Sequence, residues 1–208
     1  MPASVPPTVP PSSFIYPTAP ALVEYPHPVL RQKAAPVTVF DDALRLFCAR
    51  MFAVMDLNSG VGLAAPQVAV AKRIFVTDHL RKDKDLPIEE QASDRRVWIN
   101  PRLERSDGTT TYEEGCLSFP GIYAKVHRLN RFDIVAQDEW GSERRLSLDV
   151  DAGDFLGIVV QHELDHLDGV VFVDHLTPTQ LTLIRRRLQE LEKDYKKATG
   201  KAGTVLRR

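Results

Sequence analysis

Five residues, His162-Glu-Leu-Asp-His166, constrain this chain more than any other feature. On a helix, residues four apart share a face, so both imidazoles can reach one ion. Glu163 projects beside them, where its carboxylate can take a proton from a water activated by the metal. The stretch ahead of the pair, with Phe155, Leu156, Ile158, Val159 and Val160, is strongly apolar. Burying unpartnered imidazoles and a carboxylate there is costly, and a bound metal removes that cost. A coincidental pair of histidines one turn apart is the bland alternative, and the apolar setting weighs against it.

Two histidines do not complete a catalytic metal site, which usually has three protein ligands and an open position. Three candidates compete for the third place. A downstream histidine in the pattern HExxHxxGxxH is ruled out, because Phe172 stands at that position although Gly169 is present. Glu190 or Glu192 lies at a conceivable distance, but both sit in a Lys/Arg-rich amphipathic stretch that reads as solvated ion pairs. Cys116, in Glu114-Gly-Cys-Leu-Ser118, offers a thiolate, which suits Fe(II), Co(II), Ni(II) or Zn(II).

The rest of the chain reads as α+β, with mixed or antiparallel sheets around a central helix that carries the histidines. Residues 1–20 are rich in proline and small polar residues, so an extended or disordered tail is expected, with the catalytic domain over 21–198. Asp41 caps a helix to about Leu57, whose apolar positions Leu44, Phe47, Cys48, Met51, Val54 and Met55 recur at three and four. Strands are expected at 74–78, at 97–100 with Pro101 ending it, and at 122–127, 131–137 and 144–150. The charged stretch 79–96 reads as an exposed insertion or hairpin. Asp151 or Asp154 caps the central helix, from about Phe155 to Leu167, and Gly169 ends it. An amphipathic helix over about 179–198 and a basic tail over 199–208 close the chain.

Three segments, Gly60-Val-Gly-Leu-Ala-Ala-Pro-Gln67, Glu114-Gly-Cys-Leu-Ser118 and Gln161-His-Glu-Leu-Asp-His-Leu-Asp-Gly169, resemble the three motifs of the peptide deformylase family, in the family's order. Tyr25-Pro-His-Pro-Val-Leu30 extends the resemblance, which covers roughly residues 22–195. It implies removal of the formyl group from the N-terminal formyl-methionine of nascent polypeptides. It implies metal ligation by Cys116, His162 and His166, with Glu163 as general base and acid. The Gln67 amide and the Leu117 backbone N–H would stabilise the oxyanion. Val61, Gly62 and Gly115 would hold the peptide as an added strand, and Tyr112, Phe155, Ile158 and Val159 would line the methionine pocket. Glu114 and Arg128 would pair behind the cysteine loop. One divalent metal is implied, Fe(II) in the cell, with Zn, Ni or Co in purified protein.

Other readings are weaker. Gly60-x-Gly-x-x-Ala65 mimics a dinucleotide fingerprint, but a helix-like segment precedes it where a strand is required. A zinc endopeptidase using Glu190 or Glu192 is the first rival. A non-catalytic binding protein is the second, and it has no need of Glu163 or Gln67. Asp165 either orients a catalytic group or caps a loop. His27, His79, His127 and His175 lie outside ligand spacing. With two cysteines, a net charge of −1 and no long apolar run, the chain is expected to be a cytoplasmic monomer that binds neither DNA nor membrane. The basic C-terminal region reads as a solvated helix, with transient docking on the ribosome as the sharper alternative.

Overall fold

The computed structural model describes residues 14–79, 93–204 and 206. Helix α1 spans Asp42–Leu57, and Asp41 accepts the Leu44 N–H at 2.9 Å, as its capping role requires. Leu44, Phe47, Cys48, Met51 and Met55 form its buried stripe. Five strands follow, β1 Gly62–Ala64, β2 Ile74–Asp78, β3 Arg95–Gly115, β4 Tyr123–Gln137 and β5 Glu143–Asp149. They form one antiparallel sheet in sequential order.

Strand β2, between β1 and β3, is buried along its whole length, and its alternate residues reach two different cores. Ile74 and Val76 pack with the stripe of α1, whereas Phe75 packs with Leu156, Val160 and Leu167 of helix α2, Leu156–Leu167. Because successive strand residues point to opposite faces, α1 and α2 cover opposite sides of the sheet. Helix α3, Pro178–Thr199, starts with Thr177 and Gln180 capping one another and packs Leu188 and Leu191 on a third core around Tyr25, Phe119 and Phe172. The α+β architecture is as the pattern predicts.

Several expected boundaries move. The strand at Val97 does not stop at Pro101. It continues to Gly115, and the proline falls at a register shift between Ile99 and Arg102, where a missing N–H costs no ladder bond. The segments 122–127 and 131–137 form one continuous strand, β4. Helix α2 begins after Phe155 without a side-chain cap; the Asp154 carboxylate instead accepts the Asp149 N–H at 2.9 Å. The packed chain also starts before residue 21: Tyr16 is buried and stacks on Phe47 at 4.7 Å between ring centres. Residues 1–13 and most of the charged stretch, 80–92, lie outside the described residues.

Candidate metal centre and active site

Helix α2 delivers His162, Glu163 and His166 to one end of the sheet, and the turn after β3 delivers Cys116. Gln161, between them and the apolar run, clamps the helix to β4: its side chain accepts the Leu129 N–H at 2.7 Å and donates to the Leu129 carbonyl at 3.0 Å. The Cys116 sulfur and one ring nitrogen from each histidine lie within 4.8 Å of one another, with both histidines buried. Glu190 and Glu192 are elsewhere. Glu190 pairs with Arg187, and Glu192 accepts the Tyr25 hydroxyl at 2.6 Å, so the competition for a third ligand falls to the thiol.

A chain of charges behind the histidines sets their orientation. Glu114 Oε2 and His162 Nδ1 are 2.9 Å apart, and the carboxylate can only accept, so Nδ1 carries the proton and Nε2 is left available to bind an ion. Arg128 donates to both Glu114 oxygens, at 2.6 and 2.8 Å, and to Asp165 at 2.6 Å. Asp165 also meets His175 Nε2 at 2.7 Å. Asp165 therefore orients a charge in the site's support, and His175 lies at that support's solvent end. Burial alone would raise the Glu114 pKa, but hydrogen bonds from Arg128 and His162 outweigh it and hold it at about 2.

These residues fit a metal ion. Thiolate plus two imidazoles is a borderline-soft set that leaves coordination positions open for water and substrate. Burial disfavours a charged His162, yet Cys116, Glu114 and Glu163 together pull its pKa well above the ordinary value. Burial and His162 push His166 the other way. Three ligand-type atoms thus converge within 4.8 Å of one another in a buried setting, a geometry that one divalent cation fits. The second Glu163 oxygen is buried and has no hydrogen-bond partner among the described residues, and burial pushes the carboxyl pKa up to about 7. A carboxyl poised there can both take and return a proton near neutral pH.

Gln67 sits in a single 3-10 turn, Ala65–Val68, directly after β1. Its carbonyl accepts the Ala64 N–H at 2.7 Å, which turns the amide NH2 toward Cys116 Sγ at 3.5 Å and Ser118 Oγ at 3.3 Å. Ser118 is fully buried and closes the Cys116 motif, and no spacing in the sequence marks it as a site residue. The strand-and-turn geometry at Gly60–Ala65 also excludes a dinucleotide fold there, since no α-helix follows.

A cavity of about 620 Å³ opens on this cluster. Val61, Gly62, Gln67, Tyr112, Gly115, Cys116, Leu117, Phe155, Ile158, Val159, His162 and Glu163 line it, so every predicted site residue except His166 borders one space. Tyr112 and Phe155 face each other at 5.6 Å between ring centres. Gly62 is required by close approach: a Cβ there would lie 2.5 Å from Glu163 Oε1 and 2.7 Å from Val159 Cγ1.

An HExxH helix with a thiol gathered beside both histidines, a buried carboxyl next to it and a peptide-sized cleft defines a metal-dependent hydrolase. Residues 20–182 match the family model for polypeptide deformylase. Peptide deformylase from Chromobacterium violaceum is 43% identical over 172 residues, covering 83% of this chain and 95% of that protein. Peptide deformylase 2 from Xanthomonas campestris is 39% identical over 175 residues, with the same coverage of each. Among solved structures, a plant peptide deformylase superposes with a TM-score of 0.81 at 36% identity, covering 90% of this chain and 97% of the other. The Plasmodium falciparum enzyme gives 0.76 at 37% identity, over 86% and 99%. The chain belongs to the polypeptide deformylase family.

Proposed function

We propose that this deformylase takes the formyl group from N-terminal formyl-methionine of newly made polypeptides with the residues assembled around Glu163. The observation that carries this reading is the buried Glu163 carboxyl, with one oxygen unpartnered, beside the Cys116–His162–His166 cluster.

When bound there, a divalent metal lowers the pKa of water and polarises the formyl carbonyl. Glu163 accepts the proton of the attacking water as the new C–O bond forms. The Gln67 amide and the Leu117 N–H donate to the oxyanion, and one such donor typically contributes roughly 3–4 kcal/mol. Glu163 then passes the proton to the leaving amine, the C–N bond breaks, and formate and a free amino terminus result. Val61, Gly62 and Gly115 pair with the peptide backbone, and Tyr112, Phe155, Ile158 and Val159 receive the methionine side chain. The close walls at Gly62 and Gly115 admit a formyl hydrogen and resist larger acyl groups.

Fe(II) is the metal we assign in the cell, with Zn, Ni or Co replacing it in protein purified in air, where a thiolate-bound Fe(II) site is vulnerable to oxidation. No helix among the described residues is long and apolar enough to cross a membrane. We place the protein in the cytoplasm as a monomer whose catalytic unit includes 21–198 together with the packed residues around Tyr16, with a basic C-terminal region suited to brief contact with the ribosome.

The test is formate release from formyl-Met-Ala-Ser, run anaerobically with each metal, beside Glu163→Gln and Cys116→Ser. Loss of turnover in the first with metal retained, and loss of metal in the second, is the expected result. Metal retention by Cys116→Ser would return the third-ligand question to the peptidase alternative. Faster release of acetate from the acetylated peptide would overturn the acyl selectivity.

A further inference from the structure

The short segment 23–25 ties together the two loops that carry the oxyanion donors. The Val23 N–H donates to the main-chain carbonyl of Gln67 at 2.8 Å, and the Tyr25 N–H donates to that of Ser118 at 2.9 Å. Ser118 directly follows Leu117, in a turn that the Phe119 N–H closes on the Cys116 carbonyl at 2.9 Å. Tyr25 also lays its ring on Phe119, at 5.0 Å between ring centres and 24° from parallel. Backbone and ring thus grip the same turn. Ser118 Oγ in addition accepts from the Gln67 amide at 3.3 Å, so the placement of one loop bears on the other.

The far end of Tyr25 is held by α3. Its hydroxyl donates to Glu192 Oε1 at 2.6 Å, the length of a bond to a charged acceptor. The tyrosine is buried, and burial and then the Glu192 carboxylate raise its pKa above the ordinary value, so the hydroxyl keeps its proton to donate. The next two residues are held from the same side. The Thr204 N–H donates to the Pro26 carbonyl at 3.0 Å, and Tyr195 meets His27 edge-on at 6.1 Å between ring centres. Glu192 belongs neither to the Cys116–His162–His166 cluster nor to the lining of the cavity. What its carboxylate fixes is the position of Tyr25.

We propose that Tyr25 is a positioning residue for the oxyanion donors, and that Glu192 acts through it: the hydrogen bond between them sets the separation of the Gln67 amide and the Leu117 N–H. Those donors must meet an oxygen whose charge develops only as water adds to the formyl carbon. A small displacement therefore weakens the transition state more than the bound peptide. Its kinetic signature is a fall in kcat with KM held. This inference rests on the deformylase site proposed above.

The experiment measures kcat and KM for formyl-Met-Ala-Ser with the metal-loaded full chain. Tyr25→Phe, Glu192→Ala, Glu192→Gln and the double variant Tyr25→Phe/Glu192→Ala are compared with the parent, with bound metal and thermal midpoint recorded for each. Tyr25→Phe and Glu192→Ala are each expected to lose about threefold to tenfold in kcat, a fraction of the roughly hundredfold that a displacement of about 1 Å can cost, with KM and metal content unchanged. Glu192→Gln keeps an oxygen that can accept the hydroxyl and is expected to restore most of the loss. The double variant is expected to be no slower than the slower single variant, because both remove the same bond. An unchanged kcat in Tyr25→Phe, whatever its thermal midpoint, makes the bond one of fold cohesion alone and overturns the proposal. Losses that multiply in the double variant, or a Glu192→Gln as slow as Glu192→Ala, overturn it too. Loss of metal from Glu192→Ala overturns it in favour of the glutamate-ligand alternative. A parent that releases no formate defeats the deformylase site assignment itself, and the positioning role with it.

Discussion

Arg128 grips Glu114 with two hydrogen bonds, at 2.6 and 2.8 Å, and both side chains are nearly inaccessible to solvent. The pair acts on the metal centre through one further bond, from Glu114 to His162 Nδ1 at 2.9 Å. Removing the guanidinium leaves a buried carboxylate with a single partner. Arg128→Met is expected to lose about 3–5 kcal/mol in urea unfolding. Its metal affinity is expected to fall about 10–100-fold in a chelator competition, because His162 loses its fixed tautomer and ring orientation. Metal affinity equal to the parent's would mean that Glu114 needs no help in orienting the ligand.

Gly62 tests how closely the cleft wall approaches the general base. The methyl of Gly62→Ala would meet Glu163 Oε1 at 2.5 Å, so the carboxyl must shift. Displacing a reacting group by about 1 Å can cost roughly a hundredfold in rate. The variant is expected to stay folded and to lose kcat by that order, measured by formate release at saturating peptide. A kcat within a factor of two of the parent's would place Glu163 outside the proton-transfer step.

Gly169 ends α2 for reasons of packing. Its φ is +68°, and a Cβ would lie 2.7 Å from the Arg31 carbonyl oxygen. Gly169→Ala combines left-handed strain with a backbone clash and is expected to cost about 1–3 kcal/mol. The check is the shift in thermal midpoint beside kcat/KM, with stability changing and chemistry retained in the folded fraction.

Alkaline pH is expected to weaken the core beneath α1. Burial pushes the Cys48 thiol up from 9.0 to about 12, with the charge of Glu139 adding to it. Burial also raises Tyr16 from 10.0 to about 12, with help from Cys48 and Asp41. Both groups stay protonated in the folded state where the unfolded chain releases its protons. Their stabilisation is complete below about 9 and is lost as pH rises toward 12. The slope reaches about 1.4 kcal/mol per pH unit for each group that ionises only on unfolding. Unfolding midpoints followed from pH 8 upward, with Cys48→Ala and Tyr16→Phe flattening the decline, would verify it. A decline identical in both variants would assign the alkaline loss to other groups.

Features that depend on near neighbours in the chain are legible in the amino-acid pattern alone. Helical spacing puts His162 and His166 on one face with Glu163 beside them, and the period of Leu44, Phe47, Cys48, Met51 and Met55 defines α1 as found. The order of the three motifs pointed to the family. What depends on partners distant in the chain needed the tertiary structure. Cys116 lies 50 residues from His166, and only the docking of α2 against the end of β3 brings sulfur to within 3.3 Å of its ring and leaves Glu190 and Glu192 outside. The length of β3 and β4 was illegible for a related reason. From Arg102 to Thr111 the chain forms a largely exposed ribbon held by backbone pairing, so it lacks the one-sided apolar alternation that marks a strand. The same pairing sets Tyr123 against Gly115, a register written in hydrogen bonds between strands and in no local pattern of side chains.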